Sequence, residues 1–292
     1  MTEGAKTAVV CDSTAYLPDE IVSRHDIHRV SLYVTLDGEQ RRESEISAAD
    51  YDDFYERLRR SSEGATTSQP SVGDFLEVYE PLLAAGREII SIHLSAGISG
   101  TCDSANQARQ RLIDEGKGGE RIQVYDSRSA AGGMGLLVLT AARAAADGAG
   151  RDAALEAVER ARDSLKMWFA IDTLEYLRKG GRIGAAQAWM GSALQIKPIL
   201  TLEEEITPVE RVRTRRRAFE RMVEFARERQ AAGADAWVVQ HIHDPETARH
   251  LVDQCRQVFG SDPVFVSEIG PVLGAHTGPG LLGVGGVPSA LL

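Results

Sequence analysis

The sequence predicts an α/β protein of two domains, an N-terminal doubly wound, mostly parallel sheet followed by a C-terminal α+β domain. Up to residue 146, short apolar runs alternate with longer amphipathic segments, the pattern of strands joined by crossover helices. A small and flexible break, Asp147-Gly148-Ala149-Gly150, then interrupts the alternation. The chain of 292 residues is also long for one compact core, so domains over 1–150 and 151–292 are expected.

Apolar, β-branched runs at 7–11, 30–36, 88–94 and 122–125 read as buried strands. Helical spacing fills 48–60, 72–85, 100–113 and 130–146. After the break come an Ala-rich charged helix at 152–164, a strand at 166–171, a helix at 173–178 and the breaker Gly180-Gly181. Further strands are expected at 206–213, 236–242 and 264–268, with helices at 215–230 and 245–259. In such parallel sheets ligands sit at the carboxyl ends of the strands.

Composition narrows the function. Hydrophobic residues make up 43% and charged residues 26%, the balance of a globular protein. With 33 basic and 43 acidic residues the net charge is −10, which argues against broad nucleic-acid binding. Cys11, Cys102 and Cys255 are far apart and form no metal or disulfide pattern, so no cofactor is expected and a reducing, cytoplasmic home fits best. The segment Met1–Lys6 carries an acid and does not read as a secretory signal. The weakly polar run 130–142 is too short to span a bilayer, so any lipid chemistry is expected to work from solution.

Several loops carry polar groups suited to a ligand. Ser71 and Asp74 form a capping-box pattern and read as structural, which leaves Thr67 and Ser68 upstream in a loop with hydroxyls free to face a ligand. Ser99, before Gly100 and Thr101, is the expected N-cap of the following helix, whose first N–H groups could hold an anion. His276 lies in Leu273-Gly274-Ala275-His276-Thr277-Gly278-Pro279-Gly280, too rich in glycine for a buried helix-face histidine, and so is expected to face a ligand. Asp12-Ser13-Thr14, Asp126-Ser127 and Asp172-Thr173 each end a strand; they either cap turns or line one crevice together. His241 and His243 alternate on a strand but lack a third metal ligand. Arg182 follows the Gly180-Gly181 break, and Arg211, Arg213, Arg215, Arg216 and Arg217 crowd one strand-to-helix corner, either a solvated corner or a docking patch.

In order along the chain, Cys11-Asp12-Ser13-Thr14, Thr67-Ser68-Gln69-Pro70-Ser71, Ser99-Gly100-Thr101, Asp126-Ser127, Asp172-Thr173-Leu174-Glu175-Tyr176-Leu177, Gly180-Gly181-Arg182-Ile183, Ile196-Lys197-Pro198-Ile199-Leu200 and His276-Thr277-Gly278-Pro279-Gly280 resemble the DegV family. That family supplies the fatty-acid-binding subunits of bacterial two-component fatty acid kinases. The resemblance implies a DegV-like fold, a buried long-chain fatty acid, and carboxylate-holding positions at Thr67, Ser99 and His276, supported by Ser68, Gly100, Thr101, Asp12 and Ser13. It also implies a separate ATP-dependent kinase that phosphorylates the bound acid for phospholipid synthesis, with Arg182 and Arg213 facing it. Cys11, Cys102, Gln195 and the apolar tail from Gly285 to Leu292 depart from the family pattern.

Two functions compete. One is a non-catalytic carrier. The other is a serine acyl hydrolase, with Ser99 as nucleophile, His276 as base and Asp126 or Asp172 as orienter. The stretch Gly97-Ile98-Ser99-Gly100-Thr101 fails the nucleophile-elbow pattern at Thr101, and no Gly-x-x-x-x-Gly-Lys phosphate loop is present.

Overall fold

A computed structural model describes residues 7–190 and 196–292; Met1–Lys6 and Gln195 lie outside the described residues. The N-terminal half runs β1 (Thr7–Asp12), α1 (Asp19–Arg24), β2 (Ile27–Val30), β3 (Tyr33–Leu36), β4 (Glu39–Arg42), α2 (Tyr51–Arg60), β5 (Thr66–Ser68), α3 (Val72–Ala84), β6 (Glu88–His93), α4 (Thr101–Asp114), β7 (Ile122–Asp126) and α5 (Ala131–Ala146). There follow α6 (Arg151–Ser164), β8 (Lys166–Ala170), α7 (Glu175–Lys179), β9 (Lys197–Leu202), β10 (Ile206–Val212), α8 (Arg215–Ala231), β11 (Ala236–His241), α9 (Pro245–Phe259), β12 (Phe265–Glu268), α10 (Pro271–Thr277) and β13 (Leu282–Val287).

The first sheet has the order β2-β1-β6-β7 and is parallel throughout. Strands buried on both faces need apolar residues at every position, which is why Ala8, Val9, Val10 and Cys11 form an unbroken run. On one face α3 and α4 pack Phe75, Tyr79, Ala105 and Leu112 against Ala8, Val10 and Ile89. The opposite face is covered by α5.

The second sheet has the order β10-β9-β8-β13-β11-β12, with only β11 and β12 parallel. Its outer face is covered by α8 and α9, through Met222, Phe225, Leu251 and Cys255 against Trp237 and Val239. Its inner face meets the other side of α5. Helix α5 thus lies between the two sheets, and all of it except Arg143, Ala144 and Ala146 is buried. A helix apolar on all sides is a buried helix, which accounts for the weakly polar run. Among the described residues no helix is long and apolar enough to cross a membrane.

The structure corrects several expected elements. The strand expected at 30–36 is two strands. The chain leaves the first sheet after Val30, and β3 starts a separate antiparallel sheet of order β4-β3-β5. Asp37 and Gly38, at φ +53° and +81°, make the tight turn between β3 and β4. The apolar tail begins inside β13, which occupies a central position of the second sheet between β8 and β11. Pro208 sits where edge strand β10 shifts register, the place in a sheet where a residue without an N–H is tolerated.

Candidate functional site

The first sheet changes winding direction around β1, and its crevice opens at the carboxyl ends of β1, β6 and β7. An apolar cavity lies there, against the inner face of the second sheet, partly open to solvent. Leu94 and Ile98 line it from one half of the chain, Met167, Phe169, Leu202 and Leu281 from the other. This is the character of a site for an apolar ligand.

One part of the wall is polar. In β5 the side chains alternate, so Thr67 faces inward while Thr66 and Ser68 are exposed. Thr67 and Ser68 therefore lie on a strand, and only Thr67 reaches the cavity. The Thr67 hydroxyl is 2.7 Å from His276 Nε2.

His276 contradicts the reading of its glycine-rich surroundings, since it sits in the last turn of α10 and is 8% exposed. The glycines create the room. At Gly274 a side chain would strike the Tyr55 hydroxyl, and Gly278, at φ +74°, ends the helix. A Cβ on Gly180 would fall 2.1 Å from His276 Nδ1, so the imidazole rests directly on the backbone of the Gly180-Gly181 turn. Nδ1 is buried there with no hydrogen-bond partner among the described residues. Burial, with a smaller contribution from Arg182, pushes the His276 pKa down to about 4. At neutral pH the imidazole thus offers a hydrogen bond and no charge.

The charge comes from Arg182. Its Nη1 donates to the Gly180 carbonyl at 2.7 Å and its Nε to the Ile98 carbonyl at 3.2 Å. One guanidinium thereby ties the His276 support to the loop that carries Ser99.

Ser99 is not the N-cap of α4; that position is Gly100. The Ser99 hydroxyl accepts from Thr101 N at 3.3 Å and lies 2.9 Å from the Thr101 hydroxyl. Backbone bonds from Ile98 and Ser99 to the Ser95 carbonyl hold its turn. Gly100 packs under the end of the Gln69 side chain, whose Nε2 would lie 2.7 Å from a Cβ there.

The other candidates stand elsewhere. Asp12 is wholly buried and accepts from Thr14 N, Leu94 N and His93 Nδ1 at 2.9, 2.9 and 3.1 Å, so it fastens the end of β6 without touching the cavity. Ser13 donates to Glu43 at 2.5 Å. Asp126 accepts from Arg128 N and Ala96 N, while Asp172 pairs with Lys197 and Arg215. The three strand-end aspartates therefore build turns and ion pairs rather than one crevice. No carboxylate orients His276, and His276 Nε2 is engaged by Thr67 instead of Ser99. The hydrolase triad is not assembled. Among the described residues no cluster of metal-ligating side chains occurs, and His241 instead accepts from Asp244 N at 3.5 Å.

The arginine corner is largely matched by acids. Arg215 pairs with Asp172 and Asp244, Arg216 with Glu220, and Arg217 with Glu220 and Glu224. Arg211 lies over the Trp189 ring. Arg213 is exposed and has no ion pair among the described residues.

Gln69, Ser129 and Gln240 also border the cavity, and the sequence reading passed over all three. For Gln240 the signal existed: a polar residue directly after the apolar run Trp237-Val238-Val239, within the expected strand 236–242.

Known proteins align with this architecture. The sequence matches the family described as "Uncharacterised protein, DegV family" over residues 6–289. A DegV domain-containing protein of Streptomyces coelicolor is 41% identical over 282 residues, 95% of this chain and 96% of the relative. The Bacillus subtilis protein DegV is 36% identical over 282 residues, 95% of this chain and 97% of the relative. Its crystal structure, that of a fatty acid binding protein, superposes with a TM-score of 0.82 at 34% identity over 96% of this chain and 98% of the other. A Thermus thermophilus DegV family protein, solved for its fatty acid binding, gives 0.83 at 32% identity over 97% and 99%.

Proposed function

Because the chain belongs to the DegV family, we propose that it is a fatty-acid carrier that buries one long-chain acyl group and presents the carboxylate to a separate ATP-dependent kinase. The observation that carries this reading is the joining of one apolar cavity to a cluster of Thr67, Ser99, His276 and Arg182 in its wall. An apolar chain gains by leaving water, at roughly 0.8 kcal/mol per buried CH₂. A carboxylate needs hydrogen-bond donors and a compensating charge, and these four side chains can supply them.

The carrier performs no chemistry of its own on this reading. It works in the cytoplasm, takes residues 1–150 and 151–292 as its domains, and delivers acyl phosphate to phospholipid synthesis through its partner. Mass spectrometry of lipid extracted from the purified protein tests the first part. A long-chain fatty acid in near-stoichiometric amount is expected; protein that neither retains nor takes up fatty acid would overturn the reading.

Delivery depends on the surface. Arg213 is the member of the arginine corner with an uncommitted charge, and Arg182 stands at the polar wall. An exposed cation speeds encounter with an acidic partner and loses force as salt rises, the Debye length being about 10 Å at ~0.1 M. Charge reversal at Arg213 together with Arg216 is expected to leave bound fatty acid in place while kinase-dependent phosphorylation falls at low salt. Loss of lipid as well would assign these arginines to folding or to the pocket.

A further inference from the structure

The cavity wall formed by β11 and the start of α5 carries none of the head-group candidates, yet it is not wholly apolar. Gln240 is 5% exposed and Ser129 is 4% exposed, and both border the cavity. The Gln240 side-chain carbonyl accepts from Gly132 N at 3.1 Å, capping the first turn of α5. Its amide NH₂ has no acceptor among the described residues. The Ser129 hydroxyl likewise has no partner among the described residues.

Room has been left around both groups. Gly283, opposite Gln240 on β13, would bring a Cβ within 3.0 Å of the amide nitrogen, and a Cβ on Gly133 would fall 2.5 Å from the Ser129 hydroxyl. The backbone on either side of Ser129 is held in unusual conformations, with Arg128 at φ +46° and Ala131 at φ +49°. Capping α5 explains the glutamine carbonyl. It does not explain why the donor end of the same amide, and the Ser129 hydroxyl on the wall of the same cavity, have no hydrogen-bond partner among the described residues.

We propose that Ser129 and Gln240 form a polar notch that recognises a hydroxyl group on the acyl chain, making hydroxy fatty acids preferred ligands. This rests on the fatty-acid reading above. A hydroxyl matches the notch better than a double bond does. Its oxygen accepts from the Gln240 amide and it shares a hydrogen bond with Ser129 in either direction, whereas an alkene accepts weakly. A site built to hydrogen-bond a ligand hydroxyl discriminates strongly against the ligand lacking it, because its own buried polar groups are then left unpaired.

The test is displacement of a fluorescent fatty acid by stearic acid and by monohydroxystearic acids carrying the hydroxyl at successive carbons. At least one isomer should bind more tightly than stearic acid by roughly tenfold or more. That ratio should collapse in Gln240→Met and shrink in Ser129→Ala. The serine variant keeps the bond from Gly132, so it remains informative if Gln240→Met fails to fold. Equal affinity for stearic acid and every isomer would mean that water satisfies the notch, and the proposal would fall while the carrier reading stood. An isomer preference that survives in Ser129→Ala and in Gln240→Met would also overturn it. Failure of stearic acid and all isomers to bind would overturn the carrier reading itself.

Discussion

Ser99→Ala or His276→Ala is expected to weaken fatty-acid binding by roughly ten- to a hundredfold, the worth of a hydrogen bond to a charged acceptor, about 1.5–3 kcal/mol. The two variants differ in what they leave behind. Without the Ser99 hydroxyl, Thr101 keeps its own hydroxyl close by, and the turn on Ser95 is untouched. Loss of the imidazole strips Thr67 of its partner and opens a void against Gly180, so His276→Ala should be the more severe. Since the imidazole is neutral well above pH 4, this loss should be nearly independent of salt. Displacement of a fluorescent fatty acid measures both, with melting temperatures as the check on folding. Wild-type affinity in both variants would remove these residues from the site.

Gly285→Ala is expected to cost about 3 kcal/mol or more of stability, the upper range for overpacking in a core. A Cβ at this position would lie 2.2 Å from the Lys166 carbonyl oxygen and 2.3 Å from Met167 Sδ. The first of these is backbone of the neighbouring strand β8, which cannot swing aside as a side chain does. The neighbouring Gly283 and Gly286 are also tight, where a Cβ would lie 2.8 and 2.4 Å from the carbonyl oxygens of Trp168 and Ala236. Urea unfolding measures the change. Gly150→Ser is the comparison, at the N-cap of α6 where nothing stands within 4 Å, and it should stay within about 0.5 kcal/mol of wild type. A Gly285 variant as stable as wild type would show that β13 can shift within the sheet.

The same strand shows where sequence reasoning stops. Alternation and apolar runs disclosed β1, β6, β7 and β11 because their side chains carry the signal. In β13 three of the six residues are glycine, and what selects them is the closeness of strands β8 and β11, which lie far off in sequence. Asp37-Gly38 carries the signal of a hairpin turn, but the run before it was read as one strand where the chain makes two. At the cavity, Thr67, Ser99 and His276 were legible as hydroxyls and an imidazole in loop-like surroundings, while their true settings were a strand, a turn before a glycine cap and a buried helix end. Gly180 was legible as a chain break, while its packing role, to leave room beneath a ring 96 positions away, was not.

Helix α5 has a bearing on how the chain acquires its structure. It contains Gly132, Gly133 and Gly135 within its first five residues, a composition that weakens an isolated helix. Its order comes from the sheets on either side, and one of those sheets is built wholly from residues after 165. During synthesis the first sheet therefore emerges with a covering helix whose far side has nothing to pack against until β11 and β13 are made. Docking of that second sheet closes contacts of long sequence separation, a slow kind of step. The half-made chain would meanwhile display an apolar helix face, the surface on which a chaperone or an unwanted neighbour would first take hold.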